Sequence, residues 1–383
     1  ADLWEAWYQV IMGAETVLSH VDVVEMPNER RQFYRGQAYF FKALAYFDLV
    51  RIFGAVPAVT TPVSIEGSYR VPREPVENVY ETIIIPDFIA AESALPAKCS
   101  GDEVGRATSG AAKSLLGRVY LTKGDFLNAE SKLKEVTTMG YQLLANYEDL
   151  FDYTKSEHHS EYIFDIEYQS GIGEGSTFTT AFFPNFSEMN EFFNITGAGQ
   201  EYNNPTQELI SLFVPGDTRK EVTVGVPGGF YDADSVFHAL PTSTNQTYTK
   251  KYFDSSPVRA DSKANWKVIR YADVLLMYAE ALNENGKPQQ AIPFLNQVRT
   301  RAGLEGYPNT MSQTETRDAI VLERRLELSF EGVRWFDLVR TGKAYEVMKD
   351  KGMAPYMTVF PIPLSQVQII NDPTIFPQNP GYD

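Results

Sequence analysis

The chain has 383 residues, 43% of them hydrophobic and 13% aromatic, enough to bury a sizeable core and to exclude a disordered protein. Its 34 basic and 50 acidic residues leave a net charge of −16, which repels phosphate backbones and anionic lipid and argues against nucleic-acid binding. A single cysteine, Cys99, excludes internal disulfides and Cys-rich metal sites, and no apolar run reaches the roughly 18 residues of a membrane-spanning helix.

The first residues, ADLWEAWYQVIMGAETVL, read as an amphipathic helix already under way. They lack a basic stretch followed by an apolar one, so no signal peptide is read here, and the natural protein is expected to begin earlier. Arg30 to Phe53 carries apolar residues all round and predicts a buried helix ending at Gly54, with Pro57 beyond it. After a Pro-punctuated loop, a helix is expected from about Val76 to Leu95, kinked or restarted at Pro86.

In Ala107 to Val136, the residues Leu116, Gly117, Tyr120, Gly124, Phe126, Ala129, Leu133 and Val136 fall on the spacing of a tetratricopeptide helix pair. Tyr271 to Leu304 repeats the pattern with Gly286, Ala291, Leu295 and Val298, and the buried helix at Arg30 fits a third unit. The repeats thus run over about 30–140 and 268–345. The intervening stretch, about 141–265, is irregular, rich in Gly, Pro, Asn, Thr and aromatics, with one clear strand in EYIFDIEY. Function is expected in such an insertion. A Pro-rich tail, 355–383, closes the chain.

Catalytic and metal-binding patterns are lacking. His158 and His159 are adjacent in a polar loop, His20 and His238 stand alone, and no HExxH spacing occurs. GIGEGS falls short of a dinucleotide fingerprint, and neither a phosphate loop nor a GxSxG elbow is present. DADS at Asp232 is too short for a calcium loop, which leaves room only for a lone surface calcium. Neither cofactor nor structural metal is expected. The most charged stretch, Glu323 to Lys343, sets Glu323, Glu327, Glu331 and Asp337 against Arg324, Arg325, Arg334 and Arg340 at helical intervals. It reads as two helices broken near Gly332, with arginines pinning carboxylates where the last helices meet and Trp335 and Phe336 sealing the joint. An acid–base pair would instead need unpaired carboxylates in a cleft.

Loop aromatics with amides and carboxylates nearby suit sugar faces, because C–H groups stack on rings while polar side chains take the hydroxyls. On that ground Tyr69, Phe183, Asn185, Phe186 and Tyr231 are the candidate ligand contacts. Trp4 is added from the first helix, where such rings more often pack into a core.

An ordered set of motifs is similar to the SusD/RagB family over essentially the whole length: GQAYFFKALAYFDLVRIFGAVPAV, GRATSGAAKSLLGRVYLTKGDF, NPTQELISLFVPGDTRK, NWKVIRYADVLLMYAEALNENG, AIPFLNQVRTRAGL, ERRLELSFEGVRWFDLVRTGK and FPIPLSQVQIIN. The resemblance implies a single, mainly α domain of about four tetratricopeptide-like helix pairs packed against an irregular ligand-binding half with a few short strands. It implies a lipid-anchored protein exposed on the outer membrane that binds a glycan without catalysis, as partner of a SusC-like TonB-dependent transporter. Peptide capture, as in RagB-like proteins, is the alternative, and a carboxylate-dependent glycosidase a more distant one. The lipid-bearing cysteine of the family is absent here, and Cys99 does not replace it.

Overall fold

A computed structural model of the chain describes residues 2–154, 157–184, 199–225, 229–231, 237–239, 247–254, 258 and 260–382. It is mainly helical, and two compact units are described in turn: 1–139 with 335–383, and 140–334.

In the first unit, the helix Asp2–His20 buries Trp4, Ile11, Ala14 and Glu15 along one stripe. That stripe faces the helix Asn28–Phe53, whose residues from Gly36 onward are nearly all buried. The expected break at Pro86 takes a specific form. A short helix, Val76–Val79, passes into a π-helical turn, Tyr80–Ile84, and then into the helix Ile85–Ala94. Proline lacks the N–H needed to continue an α-helical ladder, and the wider turn absorbs the defect.

The first repeat pair is the helices Ser109–Lys123 and Phe126–Thr137. Thr108 caps the first by accepting from the Ala111 N–H, and Asp125 caps the second by accepting from that of Asn128. Gly117 sets their separation, since a Cβ there would sit 2.5 Å from Leu133 Cδ2. The tail is bonded into this unit rather than trailing from it: Asn379 donates to the carbonyls of Phe53 (2.9 Å) and Phe360 (2.7 Å).

In the second unit, the strands Tyr162–Ile166 and Trp266–Arg270 pair antiparallel, with Ile166 opposite Trp266 and Tyr162 opposite Arg270. The second strand runs straight into the repeat pair Tyr271–Glu284 and Pro288–Arg301, followed by the helix Gln313–Glu327. A capping box, Ser312 with Glu315, starts this last helix. The second repeat pair therefore shares a unit with the loop-rich insertion, not with the first pair.

Candidate functional site

The second unit is organised around a buried ionic hub. Arg270, at the end of its strand, donates to Glu331 through Nε (2.8 Å) and Nη2 (2.8 Å), and through Nη1 to Glu161 (2.8 Å) and Glu327 (2.6 Å). Arg219 reaches Asp217 (2.7 Å) and Glu323 (2.6 Å), and Arg301 pairs with both Glu161 and Glu327. Lys251 donates to Glu331 (2.8 Å) and to the Glu327 carbonyl (3.0 Å). That carbonyl, at the C-terminal end of its helix, also accepts from the Tyr147 hydroxyl (2.7 Å) and from Arg270 (2.9 Å). Donors of positive charge are favourable at this end of a helix.

Burial raises the pKa of Glu327, but Arg301, Arg270 and Arg219 more than offset it and hold the group at about 2. Burial pushes Lys251 down to about 8 although Glu331 opposes the change. Burial pushes Glu331 up, but Arg270 and Lys251 hold it below the usual carboxylate range, whereas burial raises Glu323 although Arg219 opposes the change.

The expected pinning of the charged stretch is found, with different partners. Its glutamates are neutralised by Arg219, Arg270, Arg299, Arg301 and Lys251, which come from outside the stretch. Of its own arginines, Arg340 pairs with Asp337 (2.8 Å) within the stretch, while Arg324 bonds Asp273 (2.7 Å) and Arg325 bonds Glu208 (2.6 Å) outside it. Phe336 belongs to the first unit, where the Arg51 guanidinium lies 4.0 Å from its ring centroid and 3.9 Å from that of Phe47.

Beside the hub stands a group of aromatic rings. Trp266 lies parallel to Tyr252, with centroids 5.6 Å apart at 16°. Phe178 meets Trp266 at 5.2 Å, Phe182 at 6.0 Å and Tyr168 at 5.8 Å. Tyr252 is buried beneath, while Tyr168, Phe178, Phe182 and Trp266 are half-buried. The backbone holds them from several directions. The Tyr168 N–H donates to Asn265 (2.8 Å), Thr179 donates to the Tyr252 carbonyl (2.6 Å), and Ser176 and Ser262 bridge the neighbouring segments. Gly332, at φ +75°, leaves room for the indole, because a Cβ there would lie 2.8 Å from Cζ2 of Trp266. Nearby, Tyr202 is 59% exposed and its N–H donates to the Ala181 carbonyl (2.8 Å).

Half-buried, mutually braced rings can stack on an apolar ligand face at little entropic cost, since they are already ordered. A small cleft next to them is lined by Asp152, Tyr153, His159, Asp165, Asn265 and Lys267, and among the described residues the Tyr153 hydroxyl finds no hydrogen-bond partner. Burial, together with Lys267 and Arg270, lowers His159 to about 4 and keeps it neutral.

The expected contact residues fall in different places. Tyr69 is 45% exposed in the first unit, just past the short helix Ile65–Ser68. Tyr231 lies on a strand paired with Phe237. Asn185 and Phe186 lie outside the described residues. Two expectations need correction. Trp4, 3% exposed, is covered by Tyr8, Phe53 and the tail ring Phe376. Phe183, 2% exposed, packs against Tyr248 and Phe253. Both are core residues because other rings occupy the faces a ligand would need. Sequence reading missed Trp266, Tyr252, Phe178, Phe182 and Tyr168. The Phe-rich run from Phe178 pointed to the right neighbourhood, but nothing local links it to Trp266.

Comparison with known proteins places this geometry. A family described as "SusD family" matches residues 238–358, and one described as "Starch-binding associating with outer membrane" matches residues 1–121. The chain is similar to a solved "Laminarin binding SusD-like protein", with 32% identity and a TM-score of 0.85, over 99% of this chain and 85% of that one. It is also similar to a solved SusD superfamily protein from Parabacteroides distasonis, at 30% identity and a TM-score of 0.83, over 100% and 85% of the two chains. SusD-like protein P2 of Formosa agariphila is 27% identical over 99% of this chain and 80% of its own length. With motifs, fold and relatives in agreement over its whole length, the chain belongs to the SusD/RagB family.

Proposed function

We propose that the protein is a non-catalytic glycan-binding subunit that captures an oligosaccharide or polysaccharide at the cell surface and delivers it to a SusC-like TonB-dependent transporter. The observation that carries this reading is the half-buried ring group of Tyr168, Phe178, Phe182 and Trp266 on a charge-locked base. A relative named for laminarin binding supports the ligand class. The family description "associating with outer membrane" supports a lipid-anchored, surface-exposed location. The absence of catalysis is favoured by the hub, whose carboxylates are claimed by arginines and lysine and so are poorly suited to acid–base work. Tyr69 and Tyr231 remain proposed contacts, alongside the rings of the cluster.

Calorimetric titration of the chain with a panel of soluble glycans tests the reading, with Trp266→Ala as the site variant. Binding to at least one glycan, lost in the variant, is expected. A panel without binding, together with capture of extended peptides, would replace it by the peptide-uptake reading. New reducing ends released from any glycan would show catalysis.

A further inference from the structure

We infer that Tyr202 is a ligand contact in its own right, holding a sugar unit beyond the one that stacks on Trp266. This rests on the glycan reading above and deepens it. The Tyr202 side chain is 59% exposed, and an exposed tyrosine alone is an ordinary surface feature. Its backbone sets this one apart. Glu201 and Asn203, the residues on either side, both adopt positive φ, +55° and +61°. Asparagine tolerates that region, but glutamate enters it at a cost in energy, because its Cβ crowds the following carbonyl. Burial of the ring does not offset that cost, since the ring lies outside.

The segment is instead held from two sides. The N–H groups of Gly199, Gln200, Glu201 and Tyr202 donate to the carbonyls of Pro184 (3.1 Å), Thr180 (2.9 Å), Phe183 (3.0 Å) and Ala181 (2.8 Å). Gly199 permits the approach, because a Cβ there would lie 2.1 Å from the Phe183 carbonyl oxygen. From the other side, the hydroxyls of Thr249 and Thr247 donate to the carbonyls of Asn203 (2.7 Å) and Pro205 (3.0 Å). Strained backbone that its surroundings over-determine is characteristic of ligand clamps.

The same bonds tie Tyr202 to the ring group. Ala181, which accepts from the Tyr202 N–H, precedes Phe182, whose ring stacks with Phe178, and Phe178 meets Trp266. Gln200 and Asn203 are exposed beside Tyr202 and supply amides that can both donate to and accept from sugar hydroxyls. A ring on an ordered backbone takes a sugar face with little further loss of freedom. Units along one glycan chain can then rest on Trp266 and on Tyr202, whereas a short fragment engages one ring alone.

The test titrates the full chain, Tyr202→Ala, Tyr202→Phe and Trp266→Ala with laminarin, starch and galactomannan, each as the polymer and as a ladder of its short fragments. For a polymer that the wild type binds, Tyr202→Ala should lose about tenfold in affinity and Tyr202→Phe should keep it. The gain in affinity with fragment length seen in the wild type should flatten in Tyr202→Ala, and Trp266→Ala should weaken fragments of every length. The Tm of Tyr202→Ala should match the wild type, because the removed ring is exposed; Tyr202→Gln serves in its place should the alanine variant melt early. An unchanged polymer affinity in Tyr202→Ala, or equal losses at every length, would overturn the inference and leave the glycan reading intact. No binding by the wild type, across these glycans and the wider panel above, would overturn that reading and the inference with it.

Discussion

The indole of Trp266 and the phenol of Tyr252 lie parallel, 5.6 Å apart, and each is tied to Glu331 through its own chain neighbourhood. Lys251, adjacent to Tyr252, donates to one oxygen of Glu331, and Arg270, on the same strand as Trp266, donates to both. The Tyr252 hydroxyl is bonded to the Phe330 carbonyl (3.2 Å) in the same turn. The stack thus stands on a base with few alternative arrangements, which suits a surface that must present rings in order before a ligand arrives.

Trp266→Ala should weaken glycan binding by about tenfold or more, equivalent to about 1.4 kcal/mol, through loss of the stacking face. The fold should persist with a lowered Tm, because the removed ring is only half-buried. Calorimetry and a thermal melt on the same preparation check both halves. An unchanged affinity would move the site away from this cluster.

Phe183→Ala should act on stability instead. Its ring is enclosed by Tyr248 and Phe253, and truncating a buried phenylalanine costs about 3–5 kcal/mol. Denaturant titration should show that loss, while the folded fraction keeps its ligand affinity. A selective fall in affinity without destabilisation would restore Phe183 as a contact.

Glu327→Ala should be among the most damaging single changes, at about 3–5 kcal/mol, because it strips Arg219, Arg270 and Arg301 of a shared counter-charge in a dry interior. Comparison of urea midpoints for the wild type and the variant reads this directly. A loss below about 1 kcal/mol would mean that the hub contributes no more than a surface pair does.

Acid should unfold the second unit through the same group. With Glu327 held at about 2 in the folded state and an ordinary value of 4.5, the unfolded chain binds more protons between those limits. The stability this group contributes is therefore complete above about pH 4.5 and disappears as pH falls toward about 2. The slope of stability against pH in that window should flatten in Glu327→Gln. An unaltered slope would assign acid sensitivity to other carboxylates.

Gly117→Ala tests the repeat packing. The added methyl would sit 2.5 Å from Leu133 Cδ2 and force the helix pair apart. A loss of about 1–3 kcal/mol is expected from such overpacking, read as a fall in the denaturation midpoint with glycan affinity of the folded protein unchanged.

Both repeat pairs were legible because a helix pair is a local object: Gly117 and Leu133 are sixteen positions apart, and the spacing that brings them together is written in a single stretch of chain. The Pro86 break was legible for the same reason, as a missing donor acts on its own helix. The charged stretch showed that its carboxylates are pinned. It did not show that Arg219, Arg270 and Lys251 do most of the pinning, because ion pairs carry no spacing rule across a loop. Two aromatics were misjudged where burial decides: Phe183, at the end of a short helix, and Trp4, on the first helix, are both closed over by other rings.

By itself the sequence determined the helical class, the repeat units and the family, all properties of residue order at short range. Which rings come together was decided only in the tertiary structure. Tyr168, Phe178, Tyr252 and Trp266 come from segments far apart in the chain, and they meet because Arg270 and Lys251 converge on Glu331 and because Gly332 leaves space for an indole.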